Sequence, residues 1–199
     1  TLLLPLVFLL LMVDESKAGE DIGPGVSEED KRYMEDIAFM ARDPRPPGSE
    51  HHQAVQDLCA QRLADLGLQV ERHAYGSGVN VVATLPGTER PKEVVVRSAH
   101  YDSTEECQGA DDNATGVAAV LEIARTLVSE KHARTLVLAC WDEEETGLDG
   151  STAYAQRARA EGVDIVMAYV FEMIGYADDA LGSQRLPMGF PALFPEENE

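Results

Sequence analysis

Three short apolar runs in the second half of the chain constrain its fold more than any other feature: V-V-V-R-S-A at 94–99, T-L-V-L-A-C-W at 135–141 and I-V-M-A-Y-V-F at 165–171. Runs of this kind mark strands buried on both faces. Helical patterns separate them. Between about 113 and 129, Val117, Val120, Leu121, Ala124, Leu127 and Val128 fall on one helix face, and a further helix is expected near 151–161. Upstream, Ser27 followed by Glu28, Glu29 and Asp30 opens a helix with Tyr33, Ile37, Met40 and Ala41 on its apolar side. Ser49 opens a second, with Val55, Leu58, Cys59, Leu63 and Leu66 inward and Gly67 as its stop. Short strands are expected at 68–73 and 80–85. Strands alternating with helices predict an α/β domain around a mainly parallel sheet.

In such sheets ligands bind beyond the carboxyl ends of the strands. Each of the three apolar runs is followed at once by acidic or histidine residues: His100 after the first, the D-E-E-E segment at 142–145 after the second, and Glu172 after the third. Asp111, in the loop before the 113–129 helix, is expected at the same edge. Taken singly, His100 reads as a hydrogen-bonded loop histidine, Asp111 and Asp112 as helix-start carboxylates, and 142–145 as a solvated turn. Together they form a crowd of carboxylates that repel one another unless a cation neutralises them. Imidazole plus carboxylate is a ligand set zinc accepts. There is no G-x-S-x-G elbow and no H-E-x-x-H. His51 and His52 are expected on a helix surface and His73 on a strand or its end. The sequon at Asn113 lies beside the ligand candidates, where modification is not expected.

Charge and cysteine usage narrow the classes. With 36 acidic against 16 basic residues the net charge is −20, which excludes nucleic acid and anionic membrane as partners because both need a basic footprint. Three cysteines make no disulfide framework; Cys59 and Cys140 fall on core stripes and Cys107 in the acidic loop. The apolar run at 1–13 is shorter than the roughly 20 residues of a membrane span. It fits the hydrophobic part of a signal peptide, with S-K-A at 16–18 as the cleavage site. Residues 1–18 are therefore expected to be a partial signal peptide, or alternatively a membrane anchor, and 19–26 a linker. The expected location is secreted or periplasmic.

The segments S-A-H-Y-D-S, G-A-D-D-N-A-T-G-V-A-A-V-L-E-I-A-R, E-E-T-G-L-D-G-S and F-E-M-I-G-Y resemble, in order and spacing, those of the zinc aminopeptidases of peptidase family M28. The likeness covers roughly residues 27–199, taken as one catalytic domain. It implies a zinc-dependent exopeptidase fold: a three-layer sandwich with a mixed, mainly parallel central sheet flanked by helices, here incomplete at its C-terminal end. It also implies two zinc ions, His100 and Glu172 binding one, Glu145 the other, and Asp111 bridging them. Asp102 would orient His100, Glu144 would be the general base, and a cis peptide would join Asp111 to Asp112. Aspartate stands in many members where this chain has Glu172. The family's further histidine ligand is expected downstream, since every histidine here precedes Glu145. The implied activity is hydrolysis of N-terminal residues from peptides with a free N-terminus, with no stable membrane span in the mature form. The alternatives are a related metallocarboxypeptidase or dipeptidase, a glutaminyl-cyclase-like acyltransferase, or a non-catalytic binding module of the same fold.

Overall fold

The computed structural model describes residues 27–177; the expected leader, linker and distal end lie outside them. Two helices come first, α1 (Glu28–Met40) and α2 (Glu50–Asp65). The hairpin β1 (Gln69–Ala74) and β2 (Val79–Leu85) follows, then β3 (Arg90–His100), α3 (Gly116–Leu127), β4 (Arg134–Trp141), α4 (Asp149–Glu161) and β5 (Asp164–Val170). Ser27 caps α1 in the expected way: its hydroxyl accepts from Asp30 N–H while the Asp30 carboxylate accepts from Ser27 N–H.

The five strands form one mixed sheet in the order β1-β2-β4-β3-β5. The two pairings of the hairpin side are antiparallel, and β4–β3 and β3–β5 are parallel. Successive residues alternate between two cores. On one face Val81, Ala83, Ala99, Leu138 and Cys140 meet Met40, Val55, Cys59, Leu63, Val117, Val120 and Leu121 from α1, α2 and α3. On the other, Val82, Val94, Val96, Val137, Ala139 and Trp141 meet Tyr154 and Ala158 of α4. This is a three-layer sandwich, and the three strands expected from continuous apolar runs are its parallel ones.

Two element boundaries differ from the expectation. β3 starts at Arg90, four residues before its apolar run. Its charged entry is drawn into the sheet by Arg134, which pairs with Arg90 in register and binds Glu93 at 2.6 Å. α3 starts at Gly116, not Asn113, because Asp112 (φ −101°, ψ 91°) and Asn113 (φ −135°, ψ 44°) leave the helical region. The cis peptide joins Asp112 to Asn113, one bond later than expected. Asn113 is fully buried and fastens this turn: Nδ2 donates to Phe171 O at 2.8 Å, and Oδ1 accepts from Gly116 N–H at 3.1 Å. With both ends of its amide engaged and its surface covered, it has no room for a glycan.

Candidate metal centre

Register delivers the site. His100 pairs with Trp141 across β3–β4, so the residues after each strand emerge together. Ser98 pairs with Val170 across β3–β5, which sets Glu172 level with His100. The imidazole of His100 is almost fully enclosed. Its Nδ1 faces Asp102 Oδ1 at 3.2 Å, and its Nε2 faces Asp112 Oδ1 at 3.1 Å, Glu172 Oε2 at 3.5 Å and Glu144 Oε2 at 4.0 Å.

His100, Asp102, Glu144, Glu145 and Glu172 thus gather at one sheet edge, as their positions after the strands predict. Asp111, expected to bridge two metals, does not join them. Its Oδ1 accepts from Gly175 N–H at 2.7 Å and from Thr115 Oγ1 at 3.3 Å, which turns it toward the segment after β5. Asp112 instead is the aspartate that faces His100. The candidate ligand atoms of His100, Asp112 and Glu172 lie within 4.8 Å of one another, and so do those of His100, Glu144 and Glu145.

The 142–145 segment divides by role. Asp142 is buried and accepts from His52 Nε2 at 2.6 Å and from Val79 N–H at 2.9 Å. Glu143, buried at φ +54°, accepts from the Ser77 hydroxyl. Glu144 and Glu145 are left to face the site. His51 and His52 are not surface residues as expected. α2 buries a wider stripe than its apolar pattern shows: His51 Nε2 contacts Met40 O at 2.9 Å, and the His52 ring stacks on Tyr101 with centroids 4.9 Å apart. His73 lies on β1, buried beside Asn80. Cys59 and Cys140 are buried and Cys107 is exposed.

Asp102 holds more than the imidazole. Fully buried, it also accepts the Glu144 N–H on Oδ1 and the Glu145 N–H on Oδ2, each at 3.1 Å. The Asp102→Asn protein is expected to bind zinc about 10–100-fold more weakly, the usual effect of losing a ligand's hydrogen-bond partner. It should also lose ~1–3 kcal/mol of stability from the disturbed backbone donors. Competition with a chromogenic chelator and urea unfolding measure the two; zinc affinity equal to wild type would remove the orienting role.

Electrostatics fit a cation. Burial works against the imidazolium, yet the hydrogen bond to Asp102 and the charges of Glu172 and Asp102 outweigh it and push His100 up to about 10. Burial raises Glu144, helped by Glu172, Asp102 and Asp112 against the pull of His100. Burial and then Asp112 raise Glu145. Among the described residues no lysine or arginine forms an ion pair with these five carboxylates. The deciding detail is that His100 Nε2 and Asp112 Oδ1 are both buried without a hydrogen-bond partner, although they face each other. Orphaned buried polar atoms are costly. A divalent ion held by His100, Asp112 and Glu172 would satisfy both and neutralise the crowd, so the residues fit zinc.

The model of peptidase family M28 matches residues 80–193, more than half of the chain. The chain belongs to this family. A probable zinc metalloprotease of Pyricularia oryzae is 36% identical over 113 residues, covering 53% of this chain and 22% of the relative. An aminopeptidase of Pseudomonas aeruginosa is 43% identical over 98 residues, covering 48% and 18%. The chain thus spans about a fifth of the length of these relatives. The aminopeptidase from Aneurinibacillus sp. shares the fold with a TM-score of 0.67 at 16% identity, over 74% of this chain and 71% of that one. A glutaminyl cyclase of Porphyromonas gingivalis does so with a TM-score of 0.61 at 23% identity, over 74% and 59%.

Proposed function

We propose that this member of the M28 family is an exported di-zinc aminopeptidase acting on peptides with a free N-terminus. What supports the reading most is the pair of buried, unpartnered ligand atoms, His100 Nε2 and Asp112 Oδ1, inside a ring of carboxylates. His100, Asp112 and Glu172 would hold one zinc. Asp112 and Glu145 would both contribute to a second. Bound zinc supplies a Lewis acid and acidifies water. Glu144, beside the ligands and with its carboxyl raised by burial, takes the proton of the attacking water on its carboxylate and returns it to the leaving amine. Asp102 keeps the imidazole in place and, through the two N–H groups it accepts, fixes the backbone of Glu144 and Glu145. The surplus of carboxylates around the site favours a positively charged α-amine.

Export rests on the apolar run at 1–13. No described helix is long and apolar enough to cross a membrane.

Aminoacyl anilides, with and without a metal chelator, test the activity. Cleavage that the chelator stops and added zinc restores is the expected result. Ammonia release from N-terminal glutamine instead would make the protein a cyclase. Zinc-free protein without turnover would make it a binding module.

A further inference from the structure

Arg45 is fully buried and forms no ion pair among the described residues, an unusual state for a guanidinium. Its donors go to carbonyl oxygens: Nε to Tyr101 O at 2.7 Å, Nη1 to Gln108 O at 2.6 Å and Met40 O at 3.2 Å, and Nη2 to Gly109 O at 2.8 Å. Its backbone joins the same loop, accepting Ser103 N–H at 3.2 Å and donating to Ser103 Oγ at 2.9 Å. Burial lowers its pKa, and the nearby Asp102 and Asp112 carboxylates pull the other way.

The gripped carbonyls are not arbitrary. Tyr101 stands between His100 and Asp102, and Gly109 stands three residues before Asp112. The space at Gly109 is closed as well: a Cβ there would meet Asp112 O at 2.3 Å and both Nη atoms of Arg45 at 2.9 Å. One planar, rigid fork therefore spans the strand end that presents the imidazole and the turn that presents the carboxylate.

We propose that Arg45 is a positioning residue for the metal centre, setting the separation of His100 from Asp112 by holding Tyr101 on one side and Gln108 and Gly109 on the other. This rests on the zinc reading above. Lysine keeps the charge but has no planar fork with which to span both sides.

The test measures zinc affinity by chelator competition, the visible spectrum of the cobalt-loaded protein, and thermal unfolding, for wild type, Arg45→Lys and Ser103→Ala. Folded Arg45→Lys should bind zinc about 10–100-fold more weakly, in the range of other groups that orient ligands. Its cobalt bands should shift. Ser103→Ala, which loosens the same loop and leaves the guanidinium in place, should weaken zinc several-fold. Arg45→Lys with wild-type affinity and spectrum, even at a lower melting temperature, would make Arg45 a stabilising residue alone and overturn the proposal. If Arg45→Lys does not fold, Ser103→Ala decides, and unchanged zinc affinity there overturns it. A wild-type protein that takes up no zinc sinks the metal reading itself, and this proposal with it.

Discussion

The Asp112→Asn protein is expected to lose tight zinc binding and all measurable turnover, while Asp111→Asn keeps both. The two residues are adjacent and chemically identical, but the fold uses them differently. Asp112 Oδ1 is a buried, unpartnered atom 3.1 Å from His100 Nε2. Asp111 Oδ1 already accepts from Gly175 N–H and Thr115 Oγ1. An asparagine at 111 still offers an oxygen to the same donors, so the change should be no larger than that of one ordinary hydrogen bond. At 112 the amide would lose the anionic oxygen of the proposed ligand. Zinc affinity should fall by more than ~100-fold, beyond the range typical of outer partners. Zinc titration of the two variants reads the difference. Loss of zinc from the Asp111 variant and not from the Asp112 variant would return the bridging role to Asp111.

The second large effect is expected at Glu144. Glutamine there keeps shape and hydrogen bonding but cannot take a proton, so kcat should drop by ~10²–10⁴-fold, the usual contribution of a positioned general base. Zinc content, measured by atomic emission on the purified protein, should stay within error of wild type. Glu145→Gln should show the opposite pattern, with zinc lost first. Exchange of these two patterns would reverse the assignment of base and ligand. The pair of variants is needed because the two neighbours share one anchor, the Asp102 carboxylate that accepts both of their backbone N–H groups.

The order of elements was legible because the helices and buried strands carry strong periodicity, and α1, α2 and the 135–141 strand appear close to where the pattern places them. The gathering of His100, Glu144, Glu145 and Glu172 was legible for the same reason: parallel strands deliver the residues at their carboxyl ends to one edge. The choice between Asp111 and Asp112 was not. That stretch is neither regular α-helix nor strand, so no periodicity fixes which way a side chain points, and the orientation depends on Gly175 and Phe171, about sixty residues away. His52 and Arg45 were hidden by a related effect. His52 reads as helix surface and Arg45 carries no pattern of its own, and only tertiary partners (Asp142 for one, four carbonyls for the other) explain their burial.

The triple duty of the Asp102 carboxylate has a consequence for how such a centre can vary. Because the same two oxygens steady the imidazole and anchor the peptide links of Glu144, the proposed base, neither can be retuned without disturbing its companion. Lengthening either connecting loop by one residue would shift both at once, so sequence drift should accumulate elsewhere, and any transplant of this centre to a new scaffold must carry the two loops as a single piece.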